Sequence, residues 1–195
     1  AARERAIGRQ ILTLPLLAAQ LAGGFIAPAT REILYPAIRE ALEAGGYEDI
    51  DKVSQLPGMP VAVLSALRDW WDMKLPASLP ENARLRDFTL LEGRVRGALP
   101  PGMLSPPDLV KTALERLHFA PKLVGAITVQ DIPDIKAVWR PLIRALCDVV
   151  PVRWIGSQHS RRDGFIGEIE TRSSGAALLD SADLCADPRS EVREA

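Results

Sequence analysis

Hydrophobic and polar positions along this chain follow two different periods. Residues 124–162 carry two short apolar runs, A-I-T-V and V-R-W-I, separated by apolar positions at helical spacing. Short apolar runs bounded by turn residues read as buried strands, and recurrence every three or four residues reads as an amphipathic helix. The stretch therefore predicts a strand, an acidic turn, a helix over 135–149, a turn at Pro151, a second strand and a polar loop. That is the strand–helix–strand unit of a parallel sheet. Polar residues stand just past each strand, where open α/β sheets bind ligands. The same grammar opens the chain: Ile11-Leu12 as a short strand, Thr13 as N-cap, a helix over 14–21, and Gly23-Gly24 as its stop. The two parts are expected to share one sheet.

Between residues 30 and 122 the period is helical throughout. Thr30 is an N-cap candidate ahead of Ile33, Leu34, Ala37, Ile38, Ala41 and Leu42, and Pro36 should kink this helix or mark its start. A helix over 60–73 would bury Val61, Leu64, Leu67 and Trp71, and one over 81–99 would bury Leu85, Phe88, Leu91 and Val95. A third, over 105–118, is capped by Ser105 and opened by Pro106. The links are rich in proline and no strand-like alternation occurs. The expected architecture is α/β: a small, mostly parallel sheet built by residues 1–29 and 123–195, with an all-helical insertion over 30–122. Residues 1–9 read as a charged helix, 165–171 and 178–186 as strands, and Asp187-Pro188 as the start of another helix.

Composition narrows the partners. The 195 residues suffice for one substantial core or one domain with a large insertion, and 47% hydrophobic with 25% charged residues is ordinary for a folded chain. Lys+Arg 24 against Asp+Glu 25 gives a net charge of -1, so no global positive field advertises nucleic acid. Such a contact must come from a local patch. Arg161-Arg162, with Arg153 and Arg172, is the candidate, and a solvated face is the alternative. Two cysteines make no disulfide framework and point to a reducing, cytoplasmic setting, with Cys147 on the apolar side of its helix. The apolar run over 11–27 is interrupted by Pro15, Gln20 and a glycine pair, so no membrane partner is expected. A start without Met and an unfinished helix at the end predict a piece of a longer polypeptide.

The chemistry is sparse. No phosphate-cradling loop and no G-x-G-x-x-G occurs, and His118 and His159 lack a Cys or second His at ligand spacing. No metal or cofactor is expected. Ser157 and Ser160 lie too close in sequence to His159 for a triad. Trp70, Trp71, Trp139 and Trp154 read as core anchors. Asp131 and Asp134, three apart after a strand, could jointly hold Mg²⁺, or they could cap the following helix, with Asp134 as N-cap. Capping is the expectation, and Pro141, inside that helix, should kink it or mark where its regular part begins.

These stretches resemble a family. A strand, D-E-x-Q-D, a helix, a strand and G-D-x-x-Q make up the motif II to motif III segment of UvrD/RecB-type superfamily 1 helicases. Here A-I-T-V-Q-D-I-P-D-I-K leads through a helix to V-R-W-I-G-S-Q-H-S, and I-L-T-L-P-L-L-A-A-Q-L resembles motif Ia. The tail A-D-L-C-A-D-P-R-S-E-V-R-E-A resembles the next segment of AddB-type proteins, which carry a PD-(D/E)XK nuclease at their C-terminus. The resemblance covers most of the chain. It implies a RecA-like fold, a role in DNA double-strand-break repair, and as partners single-stranded or broken-end DNA or a helicase–nuclease subunit. Motif II maps onto Gln130, Asp131 and Asp134, with Pro133 at the motif's glutamine, and motif III onto Gly156, Ser157 and Gln158. In the family the first acid of motif II helps hold Mg²⁺ and the second positions the attacking water. Gln130 is neutral, Asp131 is one methylene shorter than Glu, and Ser157 and Ser160 replace motif III's Asp and Gln. The phosphate loop would lie before Ala1. The resemblance thus implies a non-catalytic scaffold, with Thr13, Arg161 and Arg162 as DNA contacts. A module that docks a partner subunit is the alternative, and a metal-dependent enzyme using Asp131 and Asp134 comes third.

Overall fold

Thr13 and Gly23 bound the first helix as their chemistry requires: an extended residue before Pro15, and a glycine at φ 136° that ends the turn. The computed structural model describes residues 10–73, 82–130, 132, 134–156 and 167–171. In order, its elements are α1 (Leu14–Ala22), β1 (Ala27–Pro28), α2 (Arg31–Glu43), α3 (Met59–Asp72) and α4 (Ala83–Gly97). Then come β2 (Met103–Leu104), α5 (Pro106–Glu115), α6 (Ala120–Leu123), β3 (Ile127–Gln130), α7 (Arg140–Cys147), β4 (Val152–Gly156) and β5 (Glu168–Thr171). The fold is mixed α/β with two small parallel sheets. β3, β4 and β5 pair in that order, with Val129 opposite Trp154 and Trp154 opposite Ile169. β1 pairs with β2 alone among the described strands. The strand expected over 178–186 and the helices expected over 1–9 and from Asp187 lie outside the described residues.

Two hydrophobic cores form. The first gathers Leu17, Ala18 and Leu21 of α1, Leu109, Val110 and Ala113 of α5, Leu142, Ile143 and Leu146 of α7, and Val129 and Trp154 of the sheet. The second gathers Leu34 and Ile38 of α2, Leu64, Leu67 and Trp71 of α3, and Leu91 and Val95 of α4. Burying each such leucine, isoleucine or valine contributes about 1.5–3 kcal/mol against leaving it in water. The helical stretch 30–122 therefore divides: α2 to α4 make their own lobe, whereas α5 lies along α1 in the α/β lobe. Val61 is 48% exposed, because Val63 takes the inward position on α3. Pro36 stands on the exposed side of α2, and the helix runs through it.

The strand expected at Ile11-Leu12 is absent: Ile11 is 93% exposed and the segment enters α1 as irregular chain. Two residues without a ladder gain too little to be fixed as a strand. The helical stretch, conversely, contains β2, whose two residues close the lobe's exit against its entry. Ala27 N–H donates to Gly102 O and Ala29 N–H to Leu104 O, both at 2.9 Å. At this waist Gly102 has φ +81°, and a Cβ there would meet the Phe25 carbonyl oxygen at 2.7 Å.

A buried acid organises the helical lobe. Asp87 of α4 accepts the N–H groups of Glu48, Asp49 and Ile50 at 2.9, 2.7 and 3.1 Å, so it caps the 3₁₀ turn Ile50–Lys52 from another helix. Burial pushes its carboxyl up, but the three backbone donors and Arg86 outweigh this and hold it below its ordinary 3.8. Glu92, also buried, accepts from Trp71 Nε1 at 3.0 Å and from Arg96. Tyr47 closes the α2–turn junction by donating to Ala41 O at 2.8 Å under the Arg94 guanidinium.

Two outcomes follow. Gly102→Ala should lose on the order of 1–3 kcal/mol in urea unfolding, since both the space and the left-handed backbone are unsuited to a side chain. Asp87's lowered carboxyl contributes stability that is complete above its unfolded value of 3.8 and is lost as pH falls through its folded value. Thermal unfolding of the unmutated chain should therefore fall more steeply below that pH than that of Asp87→Asn. The comparison is needed because Glu32, also lowered, chiefly by the Thr30 hydroxyl, adds its own acid dependence in both proteins.

Candidate functional site

At the C-terminal edge of the parallel sheet, β3 ends at Gln130 and β4 at Gly156. Along β3 the pleat puts Val129 into the core and leaves Thr128 and Gln130 exposed, so the strand ends on an amide that reaches outward. The chain then passes Ile132 and Asp134 before α7.

That helix begins at Arg140, five residues later than the periodicity predicts, with Trp139 in the N-cap position and Pro141 in the first turn. Proline lacks an N–H and is tolerated only there, so Pro141 sets the start. Asp134 is consequently not an N-cap. Its Oδ1 accepts from Arg140 Nη2 at 3.2 Å, while Arg140 Nε donates to Ile135 O at 2.8 Å. The arginine at the helix start thus clamps the turn that leaves β3. Asp134 carries a cation of the chain itself, and among the described residues no group of three or more His, Cys, Asp or Glu could hold a metal ion.

Residues 10–13 stand across from β3, and between them lies a cleft of about 530 Å³. One wall is Gln10, Ile11, Leu12 and Thr13, and the other includes Thr128, Gln130 and Ile132, with Leu123 and Val124 nearby. Among the described residues, none that lines the cleft carries a charge. The volume is in the range of ligand clefts, roughly 300–1,000 Å³. Thr13 N-caps α1 by backbone alone, with no side-chain capping bond. The chain matches no protein-family model, no curated protein and no solved structure. Its own geometry is therefore the ground for a functional reading.

The structure brings Thr13 and Gln130 to one cleft although they are far apart in sequence. Asp134 is not among the lining residues, and Gly156 ends β4, where its backbone pairs opposite Thr171. Asp131, Ser157, Gln158, Arg161 and Arg162 lie outside the described residues. What sequence reasoning missed is the contribution of Gln10, Ile11 and Leu12 to an open wall. Their apolar pair suggested a buried strand, and nothing in the local pattern distinguishes that from an exposed lip. His118, exposed, stacks on Phe119 with ring centres 3.9 Å apart and lines no part of this cleft. Trp71, Trp139 and Trp154 are core anchors, and Cys147 packs against the first core.

Asp134→Asn should change stability in urea by less than about 1 kcal/mol, because its partner is a half-exposed arginine rather than a row of helix amides. A loss above about 2 kcal/mol would restore the capping role.

Proposed function

We propose that this chain is the RecA-like, helicase-like part of a DNA double-strand-break-processing protein of the AddB type, with its helical block as an insertion. In this reading it binds or guides single-stranded or broken-end DNA without hydrolysing nucleotide. The observation that carries the reading is the meeting of Thr13 and Gln130 in one cleft beside the end of a parallel strand. These are the positions that resemble motif Ia and the first residue of motif II. A glutamine there supports a scaffold rather than a motor, since a neutral amide is a poor Mg²⁺ ligand. The described lining carries no charge and offers Thr13 as a hydrogen-bonding contact, so charge contacts to phosphate fall to Arg153, Arg161, Arg162 and Arg172.

A fluorescently labelled single strand should bind weakly. Raising salt from about 50 to about 200 mM should weaken binding about 10- to 20-fold, the slope expected for roughly three phosphate contacts. The double variant Arg161→Ala/Arg162→Ala should flatten that slope, and ATP should not be turned over. Affinity that ignores salt, or none at all, would sink the reading.

A second reading has its own support. Ile11 is 93% and Phe25 100% exposed, with Leu12, Leu16 and Leu123 also open to solvent. Apolar exposure of this kind favours docking of a partner helicase–nuclease subunit without DNA contact. In that case Ile11→Asp with Phe25→Asp removes subunit binding, and no oligonucleotide is retained by the unmutated chain.

A further inference from the structure

The two cores share no residue, and among the described residues no helix of the α2–α4 lobe packs extensively against an element of the α/β lobe. Covalently the lobes are joined at residues 28–30 and 99–103. There β1 and β2 form a ladder only two residues long beside Gly102 at φ +81°. Such a short ladder flanked by a glycine and two prolines has little resistance to rotation. Something else must set the angle between the lobes.

Two ion pairs cross from one lobe to the other among the described residues. Arg96 of α4 makes a two-pronged contact with Asp108 of α5, its Nε lying 2.8 Å from Oδ2 and its Nη2 meeting Oδ1. Lys136, on the turn before α7, meets Asp72 at the end of α3 at 3.1 Å. Each end of the first pair is anchored in its own lobe. Arg96 also donates to Glu92, which holds Trp71 in the helical core. Asp108 accepts from the hydroxyl of fully buried Ser105 at 2.6 Å, within the cap of α5. A planar guanidinium gripping a carboxylate with two bonds fixes direction as well as distance. The second pair joins different elements, the end of α3 and the turn before α7, so the two pairs tie the lobes at separate points.

We propose that the helical lobe is hinged on the β1–β2 waist and held against the α/β lobe by a clasp of two ion pairs, Arg96–Asp108 and Lys136–Asp72. The lobes part when both pairs are neutralised or screened. The members are between 25% and 62% exposed, so salt reaches them, whereas the hydrophobic cores on either side do not respond to it in this way. This is a hinge motion of the kind in which a few element-terminal residues absorb the change while each packed body stays rigid. It stands on the packing alone and does not depend on what the cleft binds.

The test is a distance measurement on the full chain. Spin labels are attached through non-native amino acids at positions 40 on α2 and 122 on α6, both exposed. At low salt the unmutated chain should give one narrow distance distribution. Asp72→Asn with Asp108→Asn removes the charges without touching Arg96's bond to Glu92, and should broaden the distribution about two-fold, as a released hinge would. About 1 M salt should do the same to the unmutated chain, the screening length there being about 3 Å. If circular dichroism shows that the double variant has unfolded, the salt series on the unmutated chain decides. A distribution that stays narrow at high salt, or in a folded double variant, overturns the clasp.

Discussion

Parallel strands cannot be closed by a two-residue turn; the chain must travel back along the sheet before it can pair again in the same direction. All three strand pairs are parallel, and two of the returns run through described residues. Between β3 and β4 the return is made by the Arg140 turn and α7, which lays Leu142, Ile143 and Leu146 onto the first core. Between β1 and β2 the return is the whole helical lobe. Three helices are far more than a crossover needs, so they can bury their apolar faces against one another instead of against a sheet. The result is a second core. A lobe with its own core and two adjacent chain crossings, at Ala27–Pro28 and Met103–Leu104, then follows from the direction of one short ladder.

A self-contained lobe of three helices has many backbone groups at its turns and little sheet to satisfy them. Charged side chains take that role. Asp87 answers three amides of the 48–50 turn, Asp51 answers Gly46 and Tyr47, and Arg94 answers the Gly45 carbonyl. An ionised carboxylate that accepts several backbone N–H groups recovers much of what burial costs it, which is why Asp87 stays below its ordinary value despite being buried. The same arrangement makes the lobe sensitive to acid, because protonation removes acceptor capacity where no water can substitute freely.

How much of this was legible in the sequence depends on whether the deciding partner was local. Ser105 with Pro106 and Thr13 ahead of its helix are local devices, and both helices start where those residues say. The parallel pairing of β3 with β4 was legible for the same reason, since the connection between them contains a helix and no tight turn. Asp87 and Glu92 look like solvent residues of an amphipathic helix. What buries them is a turn some forty residues upstream for one and Trp71 for the other, and no window on α4 contains either. Pro141, inside the helix expected over 135–149, left two outcomes open, a kink or the start of the regular part, and the second holds. Apolar spacing runs on through residues 135–139, but a proline belongs in the first turn, and the helix obeys the proline.

The candidate site shows the same division between local and distant information. Gln130, Asp131 and Asp134 are grouped through the resemblance to motif II, yet the backbone sends Gln130 and Asp134 to different tasks. Gln130 faces the cleft from the end of β3, and Asp134 is drawn back to the start of α7 by Arg140. A pair of acids that shared a metal would need both carboxylates turned to one point and clear of competing cations. With Asp134 engaged by a guanidinium that also holds Ile135 O, releasing it for a metal would loosen the turn that joins strand to helix. Gln130 shares the cleft with Thr13, whose helix comes from far away in the sequence. What the described lining offers there is hydrogen bonding and apolar contact.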